Sequence, residues 1–140
     1  FIRLDMKERW VVLMPPDDPL AGKKHVKADE LAELPLILPR RMQVQSELAS
    51  WFGDYYKNLN ILFTSNLSTN GAVMVSRGLA YSLVIEGAVP FWDSSKIVCR
   101  PLYPELMATC VLAWKREQPF SLAATKFIEY AKCFLSMSEP

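Results

Sequence analysis

Reactive side chains are sparse in this chain and scattered along it. His25, the single histidine, sits in the lysine-rich run Lys23-Lys24-His25-Val26-Lys27, and no serine, cysteine or carboxylate stands at a spacing that makes a recognised nucleophile–base motif with it. A catalytic triad is therefore not expected. Cys99, Cys110 and Cys133 are odd in number, widely separated and set in apolar runs, which suits small buried hydrophobes better than a disulfide framework. They read as reduced thiols in a cytoplasmic protein. No paired CxxC, HExxH, acidic calcium loop, GxGxxG or Walker loop occurs. The expectation is no metal, no cofactor and no enzyme activity.

Polar groups gather in two places instead. Arg40, Arg41, Gln43 and Ser46 follow the apolar run 36–38, and Thr64, Ser65, Asn66, Ser68 and Thr69 follow the apolar run 61–63. If both runs are parallel strands, each cluster lies beyond a carboxyl end and ahead of a helix. Unpaired amides and a partial positive charge there can receive a carboxylate or another small polar group. Capped, solvated loops have the same composition, and spacing alone leaves both readings open.

The elements that must position these clusters follow from the hydrophobic pattern. Short β-rich runs alternate with helical patterns, the rhythm of a mostly parallel sheet flanked by helices, so the expected fold class is α/β. Residues 1–4 resemble a strand, and 10–14 form the first clear one, stopped by Pro15-Pro16-Asp17-Asp18-Pro19. Residues 28–34 offer a short helix leading to the strand 36–38, which Pro39 closes. Ser46 is the expected N-cap of a helix whose Leu48, Trp51, Phe52, Tyr55 and Tyr56 fall at i, i+3, i+4, i+7 and i+8. A stripe so aromatic suits a core or a contact with a second subunit. Strand 61–64 comes next, then a short helix capped by Ser68 or Thr69 and stopped by Gly78. Strands are expected at 79–85, 97–102 and 109–115, the last two joined by a turn at Pro104. A final helix capped by Ser121 carries Leu122, Phe127, Ile128, Ala131, Phe134 and Leu135 on its apolar face.

Composition sets the outer limits. At 140 residues and 51% hydrophobic, the chain suits one ordinary domain, or one lobe with pieces of another. Sixteen basic residues against fifteen acidic ones, with no long basic stripe, do not predict a grip on nucleic acid phosphates by this segment. Apolar runs are broken by Arg, Glu or Pro well short of about 18 residues, and the first residues lack a secretory pattern, so neither a membrane span nor export is expected. A strand-like start at Phe1 suggests an excised fragment.

Several segments carry a family pattern in order. Trp10-Val11-Val12 leads to Asp18-Pro19-Leu20-Ala21; Asp29-Glu30-Leu31 leads to Pro35-Leu36-Ile37-Leu38; Val75 and Arg77-Gly78-Leu79-Ala80 precede an apolar strand; and a strand ending in Trp114-Lys115-Arg116 precedes the last helix. Together they resemble the LysR-type transcriptional regulators, in the later part of the effector-binding (LysR substrate-binding) domain, over nearly the whole chain. Three departures stand out: Asp18 where histidine is more usual, Ala80 in place of a second glycine, and Ile85-Glu86 where the strand ordinarily ends in an apolar residue and proline.

The resemblance implies a periplasmic-binding-protein-like type II fold of two α/β lobes joined by crossover strands. Residues 1–7 would end the first lobe, and 8–103 would form the second, with a Rossmann-like mostly parallel sheet. Residues 104–140 would supply a crossover strand and a C-terminal helix returning to the first lobe. The resemblance further implies a non-catalytic sensor that binds a small polar effector between its lobes. Arg40, Arg41, Gln43, Ser46, Thr64, Ser65, Asn66 and Ser68 would be the effector-facing residues. DNA would be touched only by an N-terminal winged helix-turn-helix outside this sequence, and the regulator would be a homodimer or higher homo-oligomer, with the helix 46–56 in an antiparallel lobe contact. A periplasmic solute-binding protein of a transporter is the alternative. It requires export, and the reduced cysteines and the motif order argue against it.

Overall fold

In the computed structural model the described residues are 1–115 and 117–136, with the side chains of Asp5, Gln43 and Ser136 outside the description. Arg116, expected at a strand end, therefore lies outside the described residues. β1 is one strand of 13 residues, Ile2–Met14, and not the two separate runs expected. Charged residues at its middle do not interrupt it, because Lys7 and Arg9 are exposed and a strand tolerates charge on a solvated side.

The chain divides into two compact units, Glu8–Ala108, and Phe1–Lys7 with Thr109–Pro140. The first contains the sheet that matters for the polar clusters. Its strands are the latter part of β1, β2 (Val26–Lys27), β3 (Leu36–Pro39), β4 (Ile61–Ser65), β5 (Tyr81–Ile85) and β6 (Val98–Tyr103), and they lie in the order β2-β6-β1-β5-β3-β4. β2 with β6, β3 with β5, and β3 with β4 are parallel, while β1 is antiparallel to both β5 and β6. The expected α/β sheet is thus present, but mixed. Burial patterns report which faces are covered and not which way a strand runs, so the reversed direction of β1 left no trace in them.

Trp10, Val11, Val12, Leu13 and Met14 are all buried, as the centre of a two-faced sheet requires. Their side chains alternate between two cores. Trp10, Val12 and Met14 pack with Leu31, Leu48 and Phe52 on one face, whereas Val11 and Leu13 pack with Ala72, Val75 and Ile97 on the other. Helices α1 (Ala28–Leu31) and α2 (Met42–Phe52) therefore cover the first face, and α3 (Ser68–Ser76) the second. α3 lies so close to β5 that a Cβ on Gly71 would stand 2.5 Å from Ser82 Oγ.

Helix boundaries depart from the sequence reading at several points. α1 stops at Leu31 instead of 34, consistent with the steric bar that Pro35 places on helical backbone before it. α2 begins at Met42 with Arg41 as N-cap; Ser46, the expected cap, is inside the helix, where its hydroxyl donates to Met42 O at 3.0 Å. It ends where Gly53 adopts φ 56, and a 3-10 turn, Gly53–Asn58, continues the chain. Leu67, not Ser68 or Thr69, caps α3, while Gly78 past its end has φ 69 as expected of a C′ glycine.

β7 (Met107–Leu112), of which the second unit holds the residues from Thr109 onward, begins and ends earlier than the expected 109–115 and pairs with β1. The last helix, α4 (Leu122–Ser136), is capped as expected, Ser121 Oγ accepting from Ala124 N at 3.2 Å. Lys132 lies 5.4 Å from the centre of the Trp114 ring. The cysteines are less buried than expected: Cys99 and Cys110 are half-buried, and Cys133 is exposed on α4. Among the described residues no helix is long and apolar enough to cross a membrane.

Candidate functional site

Parallel pairing of β3 and β4 sets Leu38 beside Thr64 and Pro39 beside Ser65, so the two polar clusters emerge at the same end of the sheet. The pairing continues one step past the strand, Arg40 N donating to Ser65 O at 3.1 Å. Gln45, which the sequence reading passed over, braces this corner by donating from Nε2 to Pro39 O at 3.1 Å. Arg40 consequently leans toward β4, its Nε 3.4 Å from Thr64 Oγ1, a long and weak bond.

A cavity of about 520 Å³ opens here, within the range of small-molecule sites. Its polar lining is Arg40, Thr64, Ser65, Asn66 and Asn70; its apolar lining is Phe63, Leu67, Val73 and Met74. Among the described residues Arg40 is the one ionisable group in that lining, and none of their ion pairs involves it. Ser65 is committed elsewhere: its Oγ donates to Leu67 O at 3.0 Å and accepts from Leu67 N at 3.1 Å, closing the turn that aims Asn66.

Four of the eight residues proposed from sequence, Arg40, Thr64, Ser65 and Asn66, meet at this cavity. The other four are not in its lining. Arg41 is an exposed N-cap, Ser46 is occupied within α2, and Ser68 is the exposed first residue of α3. Gln43 lies on α2, with its side chain outside the described residues. Sequence reasoning missed Phe63, Leu67, Asn70, Val73 and Met74. A usable signal was present, since 67, 70 and 74 fall at the spacing of one helical face with 73 beside them.

The three family departures acquire local partners. Asp18 Oδ1 accepts from Leu20 N at 2.8 Å, capping the 3-10 turn Pro19–Gly22, and Oδ2 accepts from the Tyr81 hydroxyl. Burial, and then this bond, pushes the Tyr81 phenol up to about 12. Ala80 is buried. Glu86 receives both Nε and Nη2 of Arg9 at 2.8 Å, which raises the Arg9 pKa through hydrogen bonding first and charge second. Beside it the Glu8 carboxylate accepts from Gly87 N at 3.0 Å. Burial pushes the Cys99 thiol up, which disfavours thiolate chemistry. Among the described residues no group of three or more His, Cys, Asp or Glu is placed to hold a metal ion.

Comparison with known proteins places this geometry in a family. No curated protein matches the sequence. Solved structures do. The LysR family regulator HinK of Pseudomonas aeruginosa is 23% identical, with a TM-score of 0.66 over 92% of this chain and 45% of its own. The C-terminal domain of a probable LysR family regulator from Rhodococcus sp. RHA1 is 22% identical, with a TM-score of 0.70 over 91% of this chain and 64% of its own. The regulatory domain of Synechocystis PCC6803 CcmR, solved in complex with 2-PG, is 14% identical, with a TM-score of 0.64 over 93% of this chain and 64% of its own. The chain spans less than two thirds of each of these structures. At these identities the likeness establishes the shared fold, which is periplasmic-binding-protein-like, type II. The family described as the LysR substrate binding domain matches residues 2–136, so the chain belongs to the LysR substrate-binding domain family.

Proposed function

We propose that this chain is the effector-sensing part of a LysR-type transcriptional regulator, binding a small polar molecule at the cavity beside Arg40. One observation carries the reading. Parallel β3 and β4 deliver two separate polar clusters, Arg40 from one and Thr64 with Asn66 from the other, to a single cavity at the carboxyl ends of a sheet. That is where open α/β sheets bind ligands. In this reading Arg40, Thr64, Asn66 and Asn70 contact the effector, and Ser65 holds the turn that presents Asn66.

Unit Glu8–Ala108 corresponds to one lobe, and the remaining segments belong to another whose greater part lies outside this sequence. An effector favouring one lobe arrangement biases DNA binding by a winged helix-turn-helix domain of the whole protein, in proportion to its differential affinity for the two states. The regulator works as a cytoplasmic homodimer and catalyses no reaction. The family match supports a regulator over a transporter's solute-binding protein, and the CcmR complex with 2-PG supports ligand binding by this fold.

The test is a thermal-shift screen of the whole protein with panels of small carboxylates, sugars and nucleosides, since a ligand that binds only the native state raises apparent stability. At least one class raises the Tm, and the gain falls in Thr64→Ala and Asn66→Ala variants. No gain from any class, or a gain that both variants keep in full, refutes the assignment.

A further inference from the structure

The lining of this cavity also discriminates among ligand classes. We infer that it takes a small amphipathic monoanion, a single carboxylate on a compact apolar body; this rests on reading the cavity as the effector site. Charge complementarity is the first argument. Among the described residues Arg40 is the sole ionisable residue of the lining, no acidic group stands with it there, and its one side-chain bond is the 3.4 Å contact with Thr64. A guanidinium with a free fork matches a carboxylate in two parallel bonds. Among the described residues the lining supplies one positive charge, because the adjacent Arg41 lies outside it at the start of α2. A dianion would therefore bring a charge that finds no partner in the lining, and a cation would face Arg40 itself.

The second argument comes from the apolar part of the lining. Phe63, Leu67, Val73 and Met74 are each at least one third exposed, so a ligand covering them removes apolar surface from water. A sugar, with hydroxyls around its whole rim, would set some of them against these four side chains without partners. Thr64, Asn66 and Asn70 add neutral donors and acceptors to the lining, enough to orient a carboxylate but not to solvate a polyol.

Titration calorimetry on the whole protein separates this inference from the reading beneath it. The probes are benzoate and 2-naphthoate, their neutral amides, benzylammonium and inorganic phosphate. The aromatic carboxylates bind at least about tenfold tighter than the amides and than phosphate, the scale of one charge-assisted bond, and benzylammonium does not bind. Arg40→Gln removes the preference for carboxylate over amide, and Arg40→Lys restores part of it. Circular dichroism confirms that these variants of an exposed residue remain folded. If the amides or phosphate bind as well as the carboxylates, or if Arg40→Gln keeps the preference, the ligand class is wrong while the site stands. If no probe binds, the ligand class is wrong; the site assignment falls with it only if the thermal-shift panels of carboxylates, sugars and nucleosides also give no gain.

Discussion

Gly71 shows how one missing atom sets the depth of the cavity's supporting helix. A Cβ there would lie 2.5 Å from Ser82 Oγ, closer than folded proteins allow, and 3.2 Å from Ser82 Cβ, a tight contact. Ser82 is nearly fully buried on β5, so the clash has little room to relax. Gly71→Ala should destabilise the protein by about 1–3 kcal/mol, the usual cost of overpacking, read as a lower midpoint in chemical denaturation. Ser82→Ala in the same chain should recover part of that loss by removing the nearer atom; equal midpoints for the single and double variants would show that this contact does not exclude the side chain. Tyr81, one residue earlier, gives a pH-dependent counterpart. Its pKa is raised to about 12 in the folded protein, by burial first and then by the Asp18 carboxylate. The folded state therefore holds that proton more tightly than the unfolded chain, whose phenol titrates near 10. The stabilisation is present in full below about pH 10 and is lost as pH rises toward 12. Stability measured from pH 9 to 12 should fall more steeply in the wild type than in Tyr81→Phe, and identical slopes would remove Tyr81 from the account.

Elements were legible in the sequence where apolar periodicity was strong, and illegible where it was silent. β1, β3 and the later turns of α2 follow directly from Trp10–Met14, from the run 36–38, and from Leu48 with Phe52, all buried as read. The starts of α2 and α3 went wrong for one reason: a good capping residue was sought where apolar spacing began. Ser46 and Ser68 fit that rule, yet the N-caps are Arg41 and Leu67, neither making a side-chain cap bond. Pairing between Arg40 and β4 fixes the chain before α2, and the Ser65 turn fixes it before α3, so tertiary bonds set both starts. Leu67 now serves two ends that conflict. As an N-cap it leaves α3 uncapped, and as a cavity residue it supplies apolar wall. Leu67→Ser should raise stability by about 0.5–1 kcal/mol through the missing cap, while weakening binding of any ligand that needs that wall. Such a trade of function for stability is common at binding sites. Denaturation midpoints and calorimetric affinities on the same variant test it, and a variant that loses stability or keeps full affinity contradicts it.

At the scale of the whole sheet, the sequence conveyed that strands and helices alternate but not which strand would stand at the rim. β4 is terminal in the order, so one side of its backbone has no strand partner in the sheet. Its Ile61, Leu62 and Phe63 are all exposed. Apolar edge strands of this kind associate readily unless charge or proline blunts them, and none of the three does so. The aromatic stripe read from sequence as core or subunit contact resolves mainly to core, with Leu48 and Phe52 buried and Tyr55 left outside. β4 therefore offers the homodimer proposed for this protein an apolar strand edge. Leu62 is half exposed, so a lysine there should leave the fold intact while placing a charge on the edge. Leu62→Lys should shift sedimentation velocity profiles toward monomer, whereas Leu122→Lys, at an exposed position on α4 in the other unit, should not. If both variants sediment as the wild type does, the β4 edge takes no part in self-association. If Leu122→Lys alone dissociates the protein, the contact belongs to the other unit.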